Sequence, residues 1–391
     1  MRKALVVTIA AVAVGFGGAS SAQAATPAVT GRPVLTGFAS LPAETYVPGS
    51  EPSGAGLGTA PINGVQPPFA HQPVQGFSGV ARDVDGSYLA ISDNGYGRKD
   101  NSADFLLRVN RIRPDFRTGR VRVLGGFTPS DPRGFVPFPL TRADRVLTGA
   151  DLDPESIVRA PDGTLWIGEE FGPYLLHVDR AGRLLQRPIP VPGAKSKGSP
   201  ELGPGEQPTL GGSKGLENLA ISPDGRTLYP MLEGTVTGDT PGDLRIYEFD
   251  RRRSAFTGHR WTYRMADPAF SVADLVSIGR DRFLALERDQ LEGDEAKVKK
   301  VYRVDLTDRD HDGLADKSPL VDLLNIANPR GLGTPGPTFG MPFFTIEALT
   351  VFDDRTIGVL NDNNFPYDSV RRPGRPDDDE FVRIRLPHRL G

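Results

Sequence analysis

The chain has 391 residues, 38% hydrophobic and 24% charged, with a net charge of −3 and no cysteine. This is globular composition sufficient for a large core, and it excludes thiol catalysis, Cys-based zinc sites and disulfide stapling. The mild acidity, with no Lys/Arg stripe interleaved with aromatics, gives no nucleic-acid footprint.

In chain order, the first element is MRKALVVTIAAVAVGFGGASSAQA. Arg2 and Lys3 precede an apolar run of roughly 13 residues, and Ala22-Gln23-Ala24 is a small-residue cleavage site. The expectation is a signal peptide over 1–24, a secreted product and no membrane span after cleavage; a retained N-terminal anchor is the alternative. Removal of Arg2 and Lys3 with no acid takes the net charge from −3 to −5. The mature remainder, 25–391, reads as a single domain, expected to be monomeric.

A repeat then runs through the chain. GFSGVARDVDGSYLAISDNG (76–95), DPESIVRAPDGTLWIGEEFG (153–172) and KGLENLAISPDGRTLYPMLEG (214–234) align with VADLVSIGRDRFLALERD (272–289) and FTIEALTVFDDRTIGVLNDNN (344–364). Each is a strand, a tight Asp/Gly-type turn and a second strand ending in acids or amides. The openers are Ser78, Glu155, Glu217, Asp274 and Glu347, and the closers Asp93, Glu169, Glu233, Glu287 and Asp362, separated by 15, 14, 16, 13 and 15 residues.

Third strands follow at 105–112, 174–182, 244–250, 301–306 and 381–386, and fourth ones at 120–127, 188–192, 259–265 and 319–324. The fifth unit has no fourth strand of its own, while RPVLTGFASL (32–41) is a strand without a hairpin. The pattern predicts an all-β propeller of five four-stranded antiparallel blades, its ring closed by the N-terminal strand. A sixth blade within 42–75 is the variant, and an open row of hairpins with exposed edges the competing arrangement.

In an antiparallel hairpin the start of the first strand and the end of the second share one edge. Openers and closers are therefore expected at one mouth of the channel, joined by Glu170 and Asp289. Crowded carboxylates must be protonated, paired or metal-bound. Hard oxygen donors favour Ca²⁺, with another divalent cation possible. Asp93, Glu155, Glu169, Glu217, Glu233, Glu287, Glu347 and Asp362 are the expected ligands. Glu169, Glu170 and Glu217, with Arg98, Lys214 and Arg288 as anion-holding bases, are the expected catalytic set. A second calcium site is expected in DRDHDGLAD (308–316), where Asp308, Asp310, Asp312 and Asp316 follow a D-x-D-x-D-G-x-x-D order. Tyr96, Tyr174 and Phe365 lie near the repeat ends as a candidate stacking surface. No serine-nucleophile motif, P-loop or dinucleotide fingerprint is present.

The runs GLENLA (215–220), EEFGP (169–173) and NDNNFP (361–366), with the hairpins around them, resemble the exported phytase-like proteins described by esterase-like activity. The resemblance implies a β-propeller and the hydrolysis of phosphoric or other esters with calcium assistance. The resulting expectation is a secreted Ca²⁺-dependent ester hydrolase acting on a small-molecule ester or phosphoester. A metal-dependent lactonase and a non-catalytic ligand-binding propeller are the alternatives.

Overall fold

Each repeated hairpin forms the two inner strands of a four-stranded antiparallel sheet in the computed structural model, which describes residues 31–390. The segment 1–24 lies outside the described residues. The chain enters through β1 (Val34–Leu41). The first blade is β2 (Gly79–Arg82), β3 (Tyr88–Ile91), β4 (Val109–Asp115) and β5 (Arg120–Phe127), the last on the residues expected for a fourth strand. The second is β6 (Pro154–Arg159), β7 (Leu165–Glu169), β8 (Tyr174–Val178) and the short β9 (Ile189–Pro190). The third is β10 (Asn218–Ile221), β11 (Thr227–Met231), β12 (Asp243–Asp250) and β13 (Ala255–Arg264). The fourth is β14 (Ser271–Gly279), β15 (Arg282–Arg288), β16 (Lys299–Asp305) and β17 (Asp316–Asp322). A small hairpin, β18 (Ile326–Ala327) with β19 (Thr338–Phe339), leads into the fifth, β20 (Ile346–Asp353), β21 (Thr356–Asn361) and β22 (Asp379–Arg385).

The strand missing from the fifth blade is β1. It pairs antiparallel with β22 from Val34–Arg385 to Leu41–Asp379, so the outer edge of β22 is covered by chain from the other terminus. The inner strands β2, β6, β10, β14 and β20 pack in sequence, and β20 returns to β2. The protein is a closed five-bladed propeller rather than an open row of hairpins. Residues 42–75 contribute isolated bridges, such as Tyr46–Pro73 and Ser53–Phe69, and no sixth blade.

The core lies in five apolar layers, each between neighbouring blades. Ile91 and Ile157 meet between the first and second, Trp166 and Leu228 between the second and third, and Tyr88 and Phe381 between the first and fifth. β3 and β7 are buried on both faces, which is why their sequences read as continuous apolar runs.

Polar side chains on the inner strands tie blade to blade. Ser156 Oγ donates to Leu216 O at 3.3 Å, Asn218 Nδ2 donates to Val272 O at 2.8 Å, and Leu349 N–H donates to Asp274 Oδ2 at 2.6 Å. These three residues occupy one equivalent position in β6, β10 and β14. In β2 that position is Gly79, where an added Cβ would stand 2.8 Å from Glu155 O.

Candidate metal centre at the channel mouth

The site is built by a one-residue irregularity in the inner strands. In β6 the register skips from Pro154–Glu169 to Ser156–Gly168, and in β20 from Ile346–Asn361 to Ala348–Leu360. Glu155 and Glu347 are thus the extra residues of β-bulges, turned into the channel. The equivalent skip in β14 falls on Ala273, between Val272–Glu287 and Asp274–Leu286. Asp274, expected as an opener, is therefore one residue past the channel-facing position, and its carboxylate accepts the N–H groups of Leu275 and Leu349.

The returning strands obey the same offset. Asp93, Glu170, Glu233, Arg288 and Asp362 line the cavity at the mouth. Glu169 and Glu287 stand one residue earlier and are not among its lining residues. Glu169 is fully buried and accepts the N–H groups of Phe171 and Gly172 at 2.9 and 2.7 Å, holding the turn after β7. Glu287 accepts from Tyr263 Oη at 2.8 Å and Ala266 N–H at 2.9 Å, and pairs with Lys317 at 2.8 Å. Asp289 is paired with the buried Lys299 at 3.0 Å. Arg98 is a surface residue, 72% exposed in its side chain, beside Asp100. Tyr96, Tyr174 and Phe365 are buried in the layer between the first two blades and form no stacking surface.

The cavity encloses about 380 Å³ and gathers eight carboxylates, those of Asp93, Asp153, Glu155, Glu170, Glu217, Glu233, Glu347 and Asp362. Three overlapping triads have ligand oxygens within 4.8 Å of one another: Asp153/Glu155/Glu170, Glu155/Glu217/Glu347 and Glu170/Glu217/Glu233. Two bases answer them. Arg288 Nη2 donates to Glu347 Oε1 at 3.0 Å, and Lys214 Nζ donates to Glu233 Oε2 at 2.8 Å. Lys214 also donates to Ser271 Oγ at 3.3 Å. Arg288 Nε is buried with no hydrogen-bond partner, as is Ser78 Oγ, which occupies the Glu155-equivalent position of the first blade.

Asp153 was not singled out by spacing, because each unit was assigned a single opener. It sits two residues before Glu155, and the bulge brings both carboxylates to one side. Asn94 holds it through its backbone N–H at 3.0 Å and Nδ2 at 2.8 Å. Gln290 and Thr345 also line the cavity, and neither carries a sequence signal beyond its nearness to a repeat end.

Burial, followed by repulsion from Asp153, Glu217, Glu170 and Glu347, pushes Glu155 well above the usual carboxylate range. Glu170 rises well through burial, then Glu233 and Asp153. Glu217 rises well through burial, then Glu233, Glu347 and Glu170. Asp362 is raised well by burial and by Asp93, and Asp93 goes to about 8 through burial and Asp153. Burial and mutual repulsion thus favour the protonated forms of these groups in the metal-free protein. The donor set is all oxygen, the chemistry of Ca²⁺ and other hard cations, and a divalent cation held there would displace those protons.

In the 308–316 loop, Asp308, Asp310 and Asp312 bring oxygens within 4.8 Å of one another, while Asp316 accepts Arg309 N–H at 3.2 Å and stays outside that group. The loop joins β16 to β17, at the end of the fourth blade remote from the mouth.

The model of the phytase-like family described as esterase-like activity of phytase matches residues 72–365. The chain belongs to that family. The match spans every blade's hairpin and ends before β22; β1 also lies outside it. A protein of Arthroderma benhamiae described as an uncharacterized secreted protein is 35% identical over 105 residues, 22% of this chain and 20% of that protein. The chain thus matches about a fifth of that relative's length. Among solved structures, a GH43 β-1,3-galactosidase is similar at TM-score 0.43 and 12% identity, over 83% of this chain and 58% of that one. A gluconolactonase of Xanthomonas campestris is similar at TM-score 0.33 and 13% identity, over 78% and 71%.

Proposed function

We propose that this family member is an exported ester hydrolase that works with a divalent cation, calcium by its donor chemistry, at the acidic mouth of the propeller. The observation that carries the reading is the set of three interlocking carboxylate triads with Arg288 and Lys214 on their border. Export is supported by the basic-apolar-small order of residues 1–24 and by the secreted relative. Among the described residues no helix is long and apolar enough to cross a membrane.

Glu155, Glu170 and Glu217, each shared between two triads, are the residues that would hold the ion. The chemistry such an ion supplies when bound is Lewis-acid polarisation of a phosphoryl or acyl oxygen and acidification of water. Arg288, anchored by Glu347, keeps its Nε–H free to donate to an anionic oxygen of the ester. Asp93 lies in the cavity but outside the triads; a bound cation would favour its carboxylate form, which burial and Asp153 otherwise disfavour, and that form would accept the proton of attacking water. Eight carboxylates against two bases favour an ester with few negative charges over a heavily phosphorylated one.

Hydrolysis of an aryl phosphate and an aryl acetate, followed before and after EGTA and after calcium is restored, tests this. The expected result is turnover that chelation abolishes and calcium rescues, and that Glu217→Gln lacks while melting as a folded protein. Turnover indifferent to chelation would contradict the reading, and saturable ligand binding without turnover would make the protein a binding module.

A further inference from the structure

At the far end of the first blade and of its borders with the second and fifth, side chains opposite in charge to the mouth gather, whereas the far end of the fourth blade carries the Asp308–Asp312 group. Because β2 starts at the mouth, its turn into β3 (83–87) and the turn from β4 into β5 (115–119) both lie at the other side. Two cavities adjoin there through Leu124, which lines both. The one between the first and second blades encloses about 360 Å³ and is lined by Arg111, Arg159 and Arg180. The one between the first and fifth encloses about 560 Å³ and is lined by Arg113, Arg117, Arg122, Arg330 and Arg383. Neither contains a lysine, and Asp83 and Asp115 are the only acids lining them.

Internal pairing leaves this charge largely unspent. Asp85 serves both Arg111 and Arg113, Asp83 pairs with Arg159, and Asp115 with Arg122. Among the described residues Arg117, Arg180, Arg330 and Arg383 have no carboxylate partner. Arg383 lies on the Phe116 ring at 4.8 Å and donates to Thr36 O at 3.1 Å, which leaves its charge uncompensated. Eight planar guanidiniums and no ammonium suit oxyanions taken by paired hydrogen bonds.

The same surface is also apolar where it projects furthest. Val84, at the tip of the β2–β3 turn, is 80% exposed, and Leu124 is 40% exposed. They are two of the four large apolar side chains that stand exposed among the described residues. A soluble polyanion gives an exposed valine nothing to bury against, whereas a lipid interface does. We infer that this far face docks the protein on an anionic lipid bilayer, arginines on the headgroup phosphates and Val84 at the acyl boundary. The charge asymmetry sets the orientation: the negative surface attracts the arginine face and repels the carboxylate-rich mouth, which is left facing solution. The inference does not depend on the hydrolase reading.

Co-sedimentation of the full chain with vesicles of phosphatidylcholine alone, and of phosphatidylcholine mixed with phosphatidylglycerol, tests it. Binding to the anionic vesicles only is expected, weakening as salt is added. Arg117→Gln, Arg122→Gln and Arg180→Gln should each lower vesicle affinity roughly fivefold, and Val84→Asp should lower it further, all with unchanged melting. Equal binding to both vesicle types would overturn the inference, as would arginine variants that bind like the parent. Retention on a sulfated polysaccharide without binding to anionic vesicles would also overturn it, assigning the face to a soluble polyanion.

Discussion

At the scale of residues, Glu169 and Glu170 show how far one step along a strand separates two roles. Glu170 belongs to two triads and accepts Gly215 N–H at 3.0 Å, whereas Glu169 is buried under two backbone N–H groups of the next turn. Glu170→Gln is expected to weaken calcium binding roughly 10- to 100-fold, the scale on which metal sites respond to lost ligand-set partners. Glu169→Ala is expected to leave calcium affinity unchanged and to lower unfolding free energy by about 1–3 kcal/mol, since it strands buried donors. Calcium titration and denaturant unfolding of the two variants check both statements. Lys317 offers a second contrast: it neutralises the fully buried Glu287 carboxylate beside Tyr263. Lys317→Met should therefore destabilise by about 3–5 kcal/mol, as for other broken buried pairs, with no effect on metal content.

At the scale of elements, the blades were legible because a hairpin repeat with near-constant spacing survives small errors in strand ends. The closing strand was legible for the same reason: a fifth unit lacking its outer strand and an N-terminal strand lacking a hairpin complete each other. The facing of individual acids was not legible. A bulge adds one residue and reverses every side chain beyond it, and nothing in DPES, VADL or IEAL distinguishes the bulged position. Asp274, Glu169 and Glu287 were misplaced by that single residue, and Arg288 with Gln290 turns out to be the fourth blade's contribution to the mouth. The aromatic residues failed for a different cause, since Tyr96 and Phe365 are packed beneath the 42–75 segment by Phe69, a long-range contact without periodicity. The ring closure carries its own prediction. Leu35 is fully buried where β1 meets the layer between the fourth and fifth blades, so Leu35→Ala should cost about 2–5 kcal/mol. Unfolding curves of that variant against the parent provide the check.

At the scale of the whole molecule, buried carboxyls behind and within the mouth couple stability to pH, and those of the triads couple it to metal. Burial raises Asp274 to about 7, and burial raises Glu169 and Asp93 to about 8. In each case the folded chain keeps a proton that the unfolded chain releases near pH 4. The stabilisation is complete below that pH and is lost as pH rises through 7 to 8. Thermal melts of chelator-stripped protein should therefore show a falling midpoint from pH 5 to pH 8. With saturating calcium the fall should be shallower, because the ion displaces the protons of Glu155, Glu170 and Glu217, which burial holds well above the carboxylate range, and binds more tightly as pH rises. The central claim, that the interlocking carboxylates at the channel mouth hold a divalent cation, is tested most directly by anomalous scattering from crystals of the full chain grown with Mn²⁺. The account predicts a peak within coordination distance of Glu155, Glu170 and Glu217. A peak confined to the Asp308–Asp312 loop, or none in the cavity, would contradict it.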